Sequence, residues 1–260
     1  MGTAVSRIRK APAKVPHAPF AVQRRKANNA SEGLFLIVIF QDRRHAGRAL
    51  AQIVREECAV ELAAGDAIVL GLPRGGVPVA FEVARELGLP FDAFVVRKLG
   101  VPGQEELAMG AVASGGGIVL QDEVLRAYRI SRDTLDAIVA RVRMEIERRE
   151  TAYRDGRPSV PLEGRTAILV DDGLATGATM KAAARALRPI ARRVIIAVPV
   201  AAPGSCEELR REVDRLVSIE APEHFHAVGE FYHDFRQTTD EEVRTLLSQN
   251  LERTSGPRSG

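Results

Sequence analysis

The sequence predicts an α/β protein: a doubly wound, mostly parallel five-stranded sheet with helices on both faces. Three observations predict it. Five short apolar runs show no polar alternation and are bounded by turn residues, so they read as strands buried on both faces. Stretches at helical spacing separate most of these runs, the alternation that builds a parallel sheet. Two of the strand-to-helix turns consist largely of Gly and other small residues, which gather backbone N–H groups at a helix N-terminus around an anion. At 260 residues the chain is long enough for one such domain with a well-buried core.

The first 31 residues hold seven basic side chains (Arg7, Arg9, Lys10, Lys14, Arg24, Arg25, Lys26), Pro12, Pro16 and Pro19, and no acid. Such a segment buries too little to order itself, so residues 1–39 are expected to be a disordered basic extension. Three readings of it stand open: an authentic extension, an organellar transit segment, and a start placed upstream of the domain. Subtracting those seven from the 37 basic residues leaves 30 against 34 acidic ones, so the overall charge of +3 belongs to the leader and the body is net −4. That does not support a nucleic-acid surface on the body. The run from Gly33 to Phe40 is short and precedes no small-residue cleavage pattern, and no stretch of about 18 apolar residues occurs. Export and a spanning helix are therefore not expected. Cys58 and Cys206 lie far apart without a C-x-x-C pattern, which argues for a reducing, cytoplasmic setting and against zinc.

A single domain is expected over 40–253, with a disordered tail over 254–260. Ala46 to Glu61 has apolar residues at helical spacing. Ala67 to Leu72 is the first core strand, followed by Pro73-Arg74-Gly75-Gly76 and a helix from Val77 to Leu87. Gly75 and Gly76 permit backbone that turns N–H groups inward, and Arg74 offers a charged fork for phosphate. Phe91 to Val96 reads as a second strand ending in Arg97-Lys98, which puts two cations at the carboxyl edge where α/β sheets bind ligands. Leu99 to Leu107 is punctuated by Gly and Pro and reads as a loop. Ala108 to Ala113 and Gly117 to Gln121 read as short strands joined by Ser114-Gly115-Gly116. Ser131 to Arg154 is a long amphipathic helix whose glutamates interleave with its arginines, the pattern of a solvated face.

The run from Ala167 to Val170 is another buried strand, and Asp171-Asp172 stands at its end. Gly173-Leu174-Ala175-Thr176-Gly177-Ala178-Thr179 follows, then a helix from Met180 to Leu187. The small-residue loop supplies N–H groups, and Thr176 and Thr179 add hydroxyl donors. The two carboxylates only accept, so they suit a sugar diol, a metal ion or both. A phosphate cradle beside a diol acceptor describes a ribose 5-phosphate site. Arg193 to Val200 and Arg215 to Ile219 complete the five strands, with a helix from Ser205 to Glu212 between them. The stretch 222–235 holds four of the twelve aromatics and three of the five histidines. His224, His226 and His233 lack a carboxylate or cysteine at supporting spacing, which disfavours a metal site there. Thr238-Thr239-Asp240-Glu241-Glu242 is an N-cap with acids behind it, opening a last helix to about Leu251.

The continuous run Val170-Asp171-Asp172-Gly173-Leu174-Ala175-Thr176-Gly177-Ala178-Thr179, behind its hydrophobic strand, resembles the phosphoribosyl-pyrophosphate (PRPP) motif of the type I phosphoribosyltransferases. Pro73 to Gly76, one βα unit ahead, resembles the family's pyrophosphate loop. The resemblance implies that Asp171 and Asp172 hold the ribose hydroxyls and, indirectly through PRPP or water, Mg²⁺. It places Gly173 and Leu174 in the loop and Ala175 to Thr179 on the 5-phosphate. Pro73, Arg74, Gly75 and Gly76, with Arg97 and Lys98, would hold the pyrophosphate. It also implies a mobile loop over the substrates at Leu99 to Leu107, and a hood over 221–237 in which Phe231 or Tyr232 stacks on a nucleobase.

The implied activity is Mg²⁺-dependent transfer of the 5-phosphoribosyl group from PRPP to a nitrogen acceptor, as in nucleobase salvage, with release of pyrophosphate. Lys98, Glu105, Glu106, Asp171 and Asp172 are the implied catalytic set. In transferases for 6-oxopurines a further Asp in the motif takes the base's proton; here that position is Ala175, which disfavours hypoxanthine and guanine. Adenine transferases use a glutamate of the mobile loop, and Glu105 or Glu106 would be its counterpart. The implied partners are small molecules, PRPP and the acceptor, with neither nucleic acid nor membrane; many relatives are homodimers. The rival reading is a non-catalytic PRPP-binding regulator, but no helix-turn-helix or aromatic-basic surface accompanies the motif. A dinucleotide-binding domain fails because neither βα turn reads G-x-G-x-x-G.

Overall fold

The structure, a computed structural model, describes residues 22–25 and 35–254. Val22–Arg25 (β1) pairs antiparallel with Phe35–Val38 (β2). The rest of the leader and residues 255–260 lie outside the described residues. Arg43–Glu57 (α1) starts where the Asp42 carboxylate accepts the His45 N–H at 2.7 Å, and Ala59–Leu62 (α2) extends it. Ala67–Gly71 (β3), Gly76–Leu87 (α3) and Phe91–Ala93 (β4) form the first βαβ unit; α3 ends on Gly88 at φ +69°, the left-handed cap that glycine adopts freely. Val96–Val101 (β5), Gln104–Ala113 (β6) and Ile118–Leu120 (β7) form a separate antiparallel sheet. Asp122–Ala127 (α4) leads to Arg132–Arg154 (α5), which is capped by Ser131.

Thr166–Val170 (β8), Ala178–Leu187 (α6), Arg193–Val200 (β9), Pro203–Leu209 (α7) and Arg215–Glu220 (β10) complete the wound half. Asp240–Thr254 (α8) opens on a reciprocal cap. Thr239 Oγ1 accepts the Glu242 N–H at 3.1 Å, and Glu242 Oε2 accepts the Thr239 N–H at 2.9 Å.

The core sheet has the order β10-β9-β8-β3-β4, every pair parallel. Its strands are apolar throughout because both faces are covered. Val69, Ile168, Ile195 and Val217 face the side packed by α1, α3, α5 and α8. Leu70, Leu169, Ile196 and Leu216 face the side packed by α6 and α7. The expected doubly wound architecture is therefore the observed one. The chain leaves β3 through α3 toward β4 and leaves β8 through α6 toward β9, in opposite directions across the sheet. That divergence opens a crevice at the carboxyl ends of β3 and β8, the place where such sheets bind ligands.

Two expectations are corrected. Phe91 to Val96 is not one strand: β4 stops at Ala93, and Val95 turns away, its N–H donating to Ser114 Oγ at 2.8 Å while its carbonyl accepts the Ser114 N–H at 2.8 Å. Arg97 and Lys98 therefore stand on β5 rather than at the carboxyl edge of the core sheet. Leu99 to Leu107 is not a loop: β5 runs to Val101 and β6 begins at Gln104, paired Val101 to Gln104 across Pro102-Gly103. Gly103 has φ +78°, as the third position of a tight turn with proline before it requires.

Candidate active site

The carboxyl ends of β3 and β8 meet through backbone contacts. Leu72 N–H donates to the Val170 carbonyl at 2.9 Å, and Gly76 N–H to the Leu72 carbonyl at 3.0 Å, so the 73–76 turn folds back beside β8. The Pro73–Arg74 peptide bond is cis. Gly75 and Gly76 lie flat against the acid pair. A Cβ on Gly75 would fall 2.1 Å from Asp172 Oδ2, and one on Gly76 would fall 2.6 Å from the Val170 carbonyl and 2.8 Å from Asp171 Cα. Only glycine fits this close approach. The pyrophosphate loop and the PRPP motif named from the sequence are thus one continuous wall.

After the acids, the loop is pinned from both sides. Leu174 is buried, donates its N–H to the Val200 carbonyl at 2.9 Å and accepts the Ala202 N–H at 2.8 Å. The Ser205 hydroxyl donates to the Ala175 carbonyl. Gly177, at φ +71°, is the N-cap of α6, and its carbonyl accepts the Lys181 N–H at 2.8 Å. Ala175, Thr176, Ala178 and Thr179 are left exposed around the first turn of α6. Anchored backbone with exposed N–H groups and two hydroxyls is what an oxygen-rich anion needs at a helix N-terminus.

Asp171 and Asp172 are both partly buried. Burial, and next the charge of Asp172, hold the Asp171 carboxyl well above the ordinary carboxylate range; the Asp172 N–H, donating to Asp171 Oδ1 at 2.9 Å, opposes this. Burial raises Asp172 as well, opposed chiefly by Arg43, whose Nε donates to Oδ2 at 2.8 Å. Arg43 was not singled out from the sequence. It also donates from Nη1 to the Arg236 carbonyl at 2.6 Å and lies 4.1 Å from the centre of the Phe235 ring. Its only sequence signal is a place at the start of α1, 129 positions from its partner.

The hood closes over this corner. Val228 covers Gly173, where a Cβ would lie 2.5 Å from its methyl. Phe40 and Gln41 pair with the 231–234 segment through three backbone bonds of 2.8–2.9 Å. Phe231 and Tyr232, expected to stack on a base, are placed otherwise. Phe231 is 2% exposed and stacks on Phe225. Tyr232 is 7% exposed, its ring packs on Phe40 and Phe235, and its hydroxyl donates to the Asp172 carbonyl at 2.6 Å. Burial, then the neighbouring Asp172 charge, push that phenol well up. Both rings are used inside the protein, and Tyr232 braces the acid pair.

Arg74 and Arg97 are likewise engaged elsewhere. Arg74 Nη1 lies 4.0 Å from Asp240 Oδ1 on α8, and Arg97 Nη2 donates to Glu145 Oε1 on α5 at 2.5 Å. Lys98, Glu105 and Glu106 are exposed on the β5–β6 hairpin. They share one cleft of about 1140 Å³ with Thr179 of the 175–179 loop and with the exposed face of α5. The hairpin thus stands where the mobile loop was expected and faces the phosphate loop, while the acid pair lies beyond that cleft's lining.

Among the described residues no group of three or more His, Cys, Asp or Glu forms a metal cage, and no helix is long and apolar enough to cross a membrane. The acid pair does fit a cation that arrives with a substrate. Two half-buried carboxyl groups share one guanidinium, Arg43 Nε donating to Asp172 Oδ2 at 2.8 Å, and offer the hard oxygen donors that a divalent cation takes.

Three comparisons bear on identity. The model of the phosphoribosyl transferase domain matches residues 40–236. Two curated Mycobacterium tuberculosis relatives, from strains CDC 1551 and H37Rv and provisionally named phosphoribosyl transferases, are 45% identical over 212 residues, covering 81% of this chain and 47% of theirs. The chain thus spans about half the length of the curated relatives it matches. The crystal structure of TT1426 from Thermus thermophilus superposes with a TM-score of 0.72 at 44% identity, covering 81% of this chain and 98% of that one. With the domain model spanning most of the chain and the acid pair, glycine turn and phosphate loop meeting at one crevice, the chain belongs to the phosphoribosyl transferase domain family.

Proposed function

We propose that the protein transfers the 5-phosphoribosyl group of PRPP to a nitrogen acceptor and releases pyrophosphate. The observation that carries this reading is the shared wall: Gly75 and Gly76 packed on Asp171 and Asp172, with the exposed 175–179 turn of α6 following directly. Each part meets one part of PRPP. The α6 turn, with Thr176 and Thr179, takes the 5-phosphate. The acid pair accepts from the ribose hydroxyls. The 73–76 turn takes the pyrophosphate with its backbone N–H groups. At C1 the bond to the pyrophosphate oxygen breaks as the bond to the acceptor nitrogen forms, so positive charge develops on the ribose ring while negative charge grows on the leaving group. The two carboxylates face the first charge and the glycine turn the second. Mg²⁺, when bound with PRPP, would neutralise pyrophosphate charge, with Asp171 and Asp172 holding it through PRPP or water.

The hairpin bearing Lys98, Glu105 and Glu106 is the part suited to shield the reaction from water and to take the acceptor's proton, since it faces Thr179 across the cleft. Ala175 at the motif position where 6-oxopurine transferases carry an acid supports an acceptor other than hypoxanthine or guanine. A panel of nucleobases and small amines, incubated with PRPP and Mg²⁺ and scored for pyrophosphate, tests the proposal. Acceptor-dependent release supports it. Calorimetry showing no association with PRPP in the presence of magnesium overturns it, and rapid turnover of hypoxanthine or guanine with adenine inert overturns the reading of Ala175.

A further inference from the structure

Two arginines that the sequence suggests for the pyrophosphate, Arg74 and Arg97, are half-exposed beside acids of α8 and α5: Arg74 Nη1 lies 4.0 Å from Asp240 Oδ1, and Arg97 Nη2 donates to Glu145 Oε1. A third, which it does not suggest, stands at the glycine turn. The Cβ that Gly75 lacks would lie 2.1 Å from Asp172 Oδ2 and 3.4 Å from Arg43 Nε, so turn, carboxylate and guanidinium share one small volume. The Arg43 side chain is only 11% exposed, which removes it from the free surface and strengthens its field at the site.

We infer that Arg43 is the guanidinium that grips the diphosphate group of PRPP, exchanging Asp172 for the substrate's phosphoryl oxygens; this rests on the transferase reading above. A diphosphate carries more charge than backbone N–H groups alone balance, and a planar fork matches two of its oxygens at once. In the ligand-free protein Asp172 is Arg43's counter-ion. When PRPP arrives, its ribose hydroxyls engage Asp172 and free the fork. The guanidinium does not drift, because the Arg236 carbonyl and the Phe235 ring still hold it. A cation tethered within reach of the glycine turn is pre-organised for the group that turn receives.

Calorimetric titrations with PRPP, inorganic diphosphate and ribose 5-phosphate, on the full chain at fixed magnesium, test this in the wild type and in R43Q, R43K, R74Q and R97Q. Loss of a charged hydrogen-bonding fork predicts that R43Q weakens PRPP and diphosphate roughly tenfold or more, and ribose 5-phosphate by no more than about threefold. The loss should exceed that in R74Q or R97Q. R43K, which keeps the charge without the fork, should fall between wild type and R43Q, and it decides the matter if R43Q does not fold. Undiminished diphosphate binding in R43Q, or in R43K should R43Q fail to fold, overturns the proposal. So does an equal loss for ribose 5-phosphate, which would make Arg43 only a support for Asp172, or a larger loss in R74Q or R97Q. A wild type that binds ribose 5-phosphate and PRPP but whose arginine variants are all unchanged sinks this inference alone. A wild type that binds no PRPP sinks the transferase reading together with it.

Discussion

The 173–179 loop and the corner around Asp172 lie side by side, yet they are built in opposite ways. The loop is assembled from neighbours in sequence: β8, the acids, the small-residue turn and the first turn of α6 follow within about fourteen positions, and a bond such as Lys181 N–H to the Gly177 carbonyl spans four. The corner draws Arg43 from 129 positions away and Tyr232 from 60, and Arg43 reaches across 193 to the Arg236 carbonyl. A cradle of N–H groups is backbone chemistry and travels in a short motif. The counter-ion for a buried acid is tertiary chemistry and belongs to the whole fold.

Changing the seam between the two regions should have the largest effect. The double variant D171N/D172N removes both negative charges proposed to face the ribose and should lower turnover by roughly a thousandfold or more, in line with the loss of transition-state electrostatics. Turnover left intact in that variant would remove the basis of the functional reading.

Next in size is G76A. Its Cβ would meet the Val170 carbonyl and the Asp171 backbone, neither of which can swing aside, so it should cost about 1–3 kcal/mol in denaturant unfolding and weaken PRPP binding. G75A meets the Asp172 side chain and should cost less. If G76A is as stable as the wild type, the shared wall is not the tight contact described here.

Hairpin variants sharpen the division between binding and chemistry. If one of the two glutamates takes the acceptor's proton, E105Q or E106Q should lower kcat by about a hundredfold with PRPP affinity unchanged. An equal loss of PRPP affinity would instead assign the hairpin to binding.

The smallest effect is expected at the outer support of α6, where Arg185 donates to both oxygens of Glu212 at 3.0 and 2.6 Å. The Arg185 hydrogen bond is the chief cause that holds the Glu212 carboxyl below its ordinary value. A carboxyl depressed in the folded state stabilises above its unfolded value, and that stabilisation is lost as pH falls through the folded one. E212Q should therefore cost under ~1 kcal/mol near neutrality, because the pair is solvent-screened, and the difference from wild type should vanish in acid.

Most of the fold was legible because the five core strands are short apolar runs covered on both faces, and four lie within a residue of where the sequence puts them, the exception being the strand that stops at Ala93 instead of Val96. The antiparallel sheet was not, for two reasons. Gln104, Glu105 and Glu106 are polar strand residues beside Pro102-Gly103, so composition made a hairpin resemble a loop. Val95 is apolar like a core strand, yet its partner is Ser114, nineteen residues on. At the candidate site, the juxtaposition of Gly75 and Gly76 with Asp171 and Asp172 was legible because both turns follow apolar strands at the same edge of the sheet. The resemblance points to Phe231 or Tyr232 as a stacking ring, and their burial was not legible because a sequence does not show which face of a ring is already covered. Arg43 gave no sign, since one arginine in the first turn of a helix is commonplace until the chain folds.

The lacing of Phe40 and Gln41 to residues 231–234 has a practical consequence for anyone trimming the basic leader. Cutting upstream of Val38 spares this seam. Starting the protein after Gln41 would strip the two residues that the aromatic cover is sewn to and unseat Asp42, the cap on which Arg43's helix begins. Such a shortened chain would keep every letter of its sugar-phosphate signature and still present a damaged pocket.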